Sequence, residues 1–166
     1  MMGQIERKTD RYERGIPIED RAIGVFAIEG GARCVVEVDT DRTSAFAVHG
    51  TDGMMMPSNN SVRIVSKHST GVHEFAPAVQ ADAWMLQAQA MLDWLEERYE
   101  HPSAAHYNRA VMEVMMAIYE SVRIKGMVRL PLETKDSPLE MMIADGTLPV
   151  EKPGKYDIRG YLVRKD

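Results

Sequence analysis

A chain of 166 residues, 45% hydrophobic and 27% charged, carries enough apolar material for one domain with a real core, and its composition is ordinary for a globular protein. A net charge of −5 without any long basic run argues against a nucleic-acid partner. No apolar run approaches the roughly 18–20 residues of a membrane span, and the charged start Met1–Gly15 is not a secretory signal. The single cysteine, Cys34, excludes an intramolecular disulfide and fits a reducing, cytoplasmic setting. Its apolar neighbours mark it as a buried thiol in a strand. Thirteen methionines, clustered at 54–56 and 112–116, read as adaptable packing at core and interface.

In chain order, Met2–Arg7 is a possible short strand, and the charged run Asp10–Gly15 reads as a loop. Arg21–Glu29 and Ala32–Asp39 are β-rich runs joined at a Gly30-Gly31 hairpin turn. Thr43–His49, Met54–Met56, Val62–Ser66 and Gly71–Phe75, separated by turn residues, extend this into an antiparallel meander.

The hydrophobic period then changes. Trp84, Ala88, Met91, Leu92, Leu95 and Tyr99 recur at helical spacing, so Gln80–Glu100 is expected to be an amphipathic helix with Asp82 in its first turn. After His101-Pro102, the stretch His106–Gly126 predicts a long helix. Val111, Val114, Met115, Ile118 and Val122 line its apolar face, and Met112, Met116, Ala117 and Tyr119 widen it. Only a narrow stripe of Arg109, Glu113, Glu120 and Arg123 is left for water, with Arg109 and Glu113 four apart and able to pair. Ser103 is the expected N-cap and Gly126 the expected stop. Val128–Leu132 reads as a short strand, and Ser137-Pro138 opens a short helix that ends at Asp145-Gly146. The polar tail from Leu148 is expected to lie over the surface.

Strands followed by helices predict a single α+β domain over residues 1–166. It would hold a mostly antiparallel open sheet with helices packed on one face, leaving the other face available for dimerisation. Several strands carry apolar residues at both parities, which supports a covered second face and hence a homo-oligomer through the sheet.

Gly-rich dinucleotide and phosphate-loop fingerprints are absent, as is a nucleophile elbow. Five scattered histidines show no metal-ligand spacing. Arg11, Tyr12, Asp20 and Arg21, in the most polar segments beside a strand start, are candidates to line a sugar or another polar ligand. The alternative is a salt-bridged loop and strand end. His106, in the first turn of the long helix, is a candidate ligand contact or a capping residue. With nearby carboxylates it would also serve an unrelated small α+β enzyme.

The segments RYERGIPIEDRAIGVFAIEGGARCVVEVD, VHGTDGMM and NRAVMEVMMAIYESVRIKGMVRLPLE resemble the C-terminal half of the Gfo/Idh/MocA oxidoreductases, the relatives of glucose–fructose oxidoreductase and inositol dehydrogenase. The resemblance covers roughly residues 3–160 and is most specific in AIYESVRIKG followed by VRLPL. It implies a two-domain enzyme. A Rossmann half binds NAD or NADP, an α+β half shapes the substrate pocket and mediates oligomerisation, and hydride is transferred at a hydroxyl or carbonyl of a sugar or cyclitol. The Rossmann half is not in this chain. The family's catalytic lysine lies in an E-K-P motif after a Rossmann strand, and its Asp and His partners precede the region matched, so no catalytic residue is carried over. Glu151-Lys152-Pro153 matches the letters but stands after the last helix, and we read it as coincidence. The expectation is therefore a substrate-side and oligomerisation domain without a cofactor of its own, inactive alone, whose partner would be a Rossmann half in the same or a split enzyme. The alternative is a stand-alone binding or regulatory protein that keeps the sheet.

Overall fold

The computed structural model describes residues 1–13, 15–39, 45–58, 61–76 and 82–157, and of residues 45, 46 and 152–157 the backbone. The α+β expectation holds. Seven antiparallel strands form one open sheet: β1 (Met2–Glu6), β4 (Arg21–Ala27), β5 (Arg33–Asp39), β6 (Ala45–Gly50), β7 (Gly53–Pro57), β8 (Val62–Ser66) and β9 (Val72–Phe75). Their spatial order is β1-β4-β5-β6-β7-β8-β9, so all but the first pair follow the chain. Alternation and tight turns fix this meander. Gly30 and Gly31 adopt positive φ between β4 and β5, where a side chain would be strained. Residues 43 and 44 of the expected third strand lie outside the described residues.

A second, smaller sheet was not legible in the pattern. The run read as a charged loop is instead β2 (Thr9–Glu13), paired antiparallel with β3 (Ile16–Pro17). β10 (Lys152–Asp157) comes back from the end of the chain to pair parallel with β2. The tail is thus partly a strand, and Lys152 and Pro153 open it. Charged residues in β2 conceal a strand because a two-sided polar ribbon has no apolar alternation to display.

Three helices follow the meander: α1 (Ala83–Leu95), α2 (Ala105–Arg123) and α3 (Pro138–Ala144). Asp82 caps α1 from outside, its side chain accepting from the Trp84 amide at 2.8 Å. Ser137 caps α3, with Pro138 at its first turn, as expected. The cap of α2 differs from expectation: Ala104 stands at the N-cap with no side-chain bond, while the Ser103 amide donates to His101 Nδ1 at 3.0 Å. Val128–Leu132 is not a strand. Val128 instead exchanges backbone bonds with Met1, at 2.8 and 2.9 Å.

The core lies where the second half of α2 crosses β1 and β4. Ile118 seats over Gly3 and Gly24, and Ile5, Ala22, Tyr119, Leu139 and Met142 close around it. A Cβ on Gly3 would stand 2.6 Å from Ile118 Cγ2 and 3.0 Å from the Ile118 carbonyl, so close helix-to-strand approach requires glycine there. Cys34 is buried, as expected.

Two expectations about α2 fail. Its packing does not extend around its length: Ala117–Ser121 are buried, but Tyr107, Val111, Met112 and Met115 are exposed. The polar stripe is not the wet one either. Glu120 is 6% exposed, and Glu113 accepts from the Leu132 amide at 2.7 Å instead of pairing with Arg109. Both carboxylates hold the segment after α2 in place.

The sheet carries its helix on one face only, and only at the β1–β4 end. The opposite face is open. By register it presents Glu6, Arg21 and Glu37 as an ion triad and Arg63 with Glu74 as another pair, between apolar residues such as Val25, Val65 and Val72. Among the described residues no helix makes extensive contact with the α2 side beyond β4 either, although Cys34 there is buried. There Val36, Val38, Val48, Met55, Ile64 and Phe75 follow one another across the strands. No Asp, Glu, Lys or Arg occurs among the described residues of that side from β5 to β9.

Candidate functional site

Of the five candidate residues the structure joins Arg11 and Asp20, while Tyr12 lies against Arg7 and Arg21 turns to Glu6 and Glu37 on the open face of the sheet. β2 carries Arg11 and Tyr12, Asp20 stands just before β4, and Arg21 is the first residue of that strand. Backbone bonds close the segment between β1 and β4: the Asp20 amide donates to the Glu6 carbonyl at 2.9 Å and the Ile18 amide to the Arg11 carbonyl at 3.1 Å. Asp20 is 8% exposed. It accepts from the Thr9 amide at 2.8 Å and the Thr9 hydroxyl at 2.6 Å, and faces Arg11 Nε at 3.3 Å. Burial alone pushes its carboxyl up. The Thr9 hydroxyl, the Thr9 and Lys8 amides and Arg11 outweigh that and hold it below the usual carboxylate range.

Arg7 lies beneath this cluster. It pairs with Asp10, and its guanidinium carbon stands 5.8 Å from the centre of the Tyr12 ring. Arg21 reaches Glu37 at 2.6 Å and Glu6 at 3.8 Å. From α2, the Tyr119 hydroxyl donates to Glu19 at 2.8 Å. Burial, reinforced by Glu19, pushes this phenol far up, so it stays a protonated donor.

This arrangement fixes geometry more than it moves protons. Asp20 is a charged acceptor with its lone pairs occupied, Tyr119 never ionises in the physiological range, and the arginines are held by carboxylates. Arg11, Tyr12 and Arg21 are half-buried and polar, each held by its own partner, and can each offer a hydrogen bond to a hydroxyl-bearing ligand.

His106 is not part of it. It stands thirteen positions before Tyr119 on α2, about 20 Å of helix away. It is exposed, its ring lies against Tyr107 at 4.0 Å, and Nδ1 stands 3.6 Å from Glu100. One exposed imidazole beside one exposed carboxylate forms neither a cap nor an enclosed site.

Arg7, Glu19 and Tyr119 were missed by sequence reasoning. Tyr119 belongs to the apolar face of α2 and reads as core, and nothing local tells that its hydroxyl reaches a residue 100 positions away. A signal for Arg7 existed: it stands at a strand end, three residues from Asp10, in a chain whose other charges cluster nearby. A separate apolar cavity of about 510 Å³ opens at the corner between Met2, Val25, Phe26 and Met127, with Gln4 and Arg33 as its polar side chains. None of the five candidates lines it. Among the described residues no helix is long and apolar enough to cross a membrane. No family model, curated protein or solved structure matches the chain.

Proposed function

We propose that this chain is the substrate-side and oligomerisation domain of an NAD(P)-dependent sugar- or cyclitol-type oxidoreductase of the Gfo/Idh/MocA kind, inactive alone and completed by a Rossmann half. The observation that carries the reading is the stretch AIYESVRIKG-MVRLPL. Its residues Ala117–Ser121 are the buried heart of α2, Glu120 holds Arg123 at 2.6 and 2.7 Å and Thr134 at 2.7 Å, and Val128 is tied to Met1. The first part of the stretch that makes the resemblance is thus where packing depends on it, while Ile124, Met127 and Leu130 are exposed. In this reading the Arg11–Tyr12–Asp20–Arg21 corner faces a polyol substrate. The protein self-associates through its sheet and acts in the cytoplasm.

Hydride transfer needs the nicotinamide held against the substrate, and a Rossmann half would supply that site. Calorimetry with NADH and NADPH on the isolated chain is expected to show no binding in the micromolar range; clear saturable binding would sink the reading. Reading the DNA immediately upstream of the Met1 codon separates it from its rival. A Rossmann coding sequence there supports a split or longer enzyme. A native start with none favours a stand-alone binding protein.

A further inference from the structure

The apolar cavity of about 510 Å³ at the β1 edge lies apart from the charged corner. By register, its lining residues Met2, Gln4, Ile23, Val25, Ala27 and Arg33 stand on the open face of the sheet, opposite α2. Met127 closes it from beyond the edge strand, where Val128 and Met1 exchange backbone bonds. Its volume falls in the range of small-ligand pockets, roughly 300–1,000 Å³. The walls are apolar yet wet: Met2 is 55% exposed and Met127 75%. Methionine is unbranched and adapts its shape to what it packs against, which suits a flexible apolar guest.

Arg33 carries the charged side chain of this lining. It is exposed, and among the described residues it takes part in no hydrogen bond or ion pair. On the same face of the sheet, Arg21 and Arg63 are each matched to a carboxylate. The neighbours of Arg33 across the strands are Ala27 and His49, so the second polar group beside it is another N–H donor. The next carboxylate along its own face of β5 is Glu37, four residues on and committed to Arg21 at 2.6 Å. Glu29, in the β4–β5 turn, is exposed and does not bridge to it. A guanidinium with unmatched donors at the rim of an apolar cavity selects a carboxylate on an apolar body.

We propose that this cavity binds a free medium-chain fatty acid, its carboxylate on Arg33 and its unbranched tail running over Val25 to Met2 and Met127. From β5 to β1 is two strand spacings, and Met2 lies one pleat further along the sheet, so the track from Arg33 to Met2 is about 12 Å. A medium-chain tail in extended form spans that track. A second charge on the ligand would be laid against Val25 and Met2, where nothing pairs with it, so a dicarboxylate is a poorer guest. Each methylene that reaches the methionine walls leaves water and adds affinity. The site takes only the β1–β4 corner of the open face and leaves the rest of it to a second copy. The inference stands on the cavity and on Arg33, and it is independent of the oxidoreductase reading.

The test titrates the full chain, carrying ¹³C-methyl methionine, with octanoate, decanoate and the neutral analogue decanol. Calorimetry is expected to show one saturable decanoate site, several-fold tighter than that for octanoate. The methyl signals of Met2 and Met127 are expected to shift with the same midpoint, while those of Met55, Met112 and Met115 stay in place. Arg33→Gln alters an exposed side chain that holds nothing, so its circular dichroism should match the parent. Decanoate is expected to bind this variant about tenfold more weakly, the worth of one charge-assisted bond, and decanol to bind parent and variant alike. Absence of saturable binding below millimolar concentration, shifts centred on other methionines, or undiminished decanoate affinity in Arg33→Gln would each refute the proposal. Decanol binding the parent as tightly as decanoate would make the cavity an unselective apolar surface and refute it as well.

Discussion

Asp20 illustrates how one carboxylate organises the polar corner. Its folded pKa lies below the ordinary 3.8, so the charged form is favoured by folding. The sign follows: this contribution is fully present above the unfolded value and disappears as pH falls through the lower folded value. Asp20→Asn removes the charge yet keeps the shape. Urea unfolding at pH 7 is expected to show it less stable than the parent by about 2 kcal/mol, with Arg11 and the Thr9 donors left under-satisfied. Repeating the measurement near pH 3 should shrink the gap, and an equal gap at both pH values would assign the loss to packing. Tyr119→Phe removes the single bond that ties α2 to Glu19. A loss of about 1 kcal/mol is expected, read as a shift of the urea midpoint without a change in slope.

At the level of elements, the β-meander and the existence of all three helices were legible, because alternation, turn glycines and helical spacing are local signals. Ser137 was legible as a helix start for the same reason, whereas Asp82, read as a first-turn residue, is the N-cap. What the pattern could not tell was how far each element is covered. The stripe Tyr107, Val111, Met115, Ile118, Val122 is continuous in sequence, yet only its second half meets the sheet. Periodicity records that a face seeks a neighbour, not whether this chain supplies one. Glu113 and Glu120 misled in the opposite sense, since a charged residue on the far stripe of a helix reads as wet until a later loop arrives to bond it. Likewise β2 was hidden by its charges, and β10 by lying beyond the last helix. The salt-bridged strand end at Arg11, Asp20 and Arg21 was legible because charge concentrates beside a strand start, whereas Tyr119 and Glu19 meet only through the fold. The close helix crossing makes its own prediction. Gly3→Ala confronts backbone atoms at 3.0 and 3.1 Å and should cost about 1–3 kcal/mol. Gly24→Ala meets only Ile118 side-chain atoms, which can rotate away, and should cost less. Thermal melts of the two variants rank them, and a reversed order would contradict the seating of Ile118.

For the whole molecule, the apolar side chains that α1 and the first half of α2 leave in water invite association. If folding and association are coupled, the melting temperature rises with protein concentration by mass action. Melts over a hundredfold range of concentration are expected to shift upward by several degrees, and a constant melting temperature would mean that the exposed helices contribute nothing to a folded assembly.

The parallel pairing of β10 with β2 also sets an order of events during synthesis. β2 leaves the ribosome well before β10, so one of its two neighbours is made only after residue 151. The meander and its turns can close hairpin by hairpin as they emerge, whereas the charged corner around Arg11 and Tyr12 stays half-built until the ribosome has passed residue 157. During that interval the corner is open to chaperones and proteases, and its assembly waits for the β10 segment.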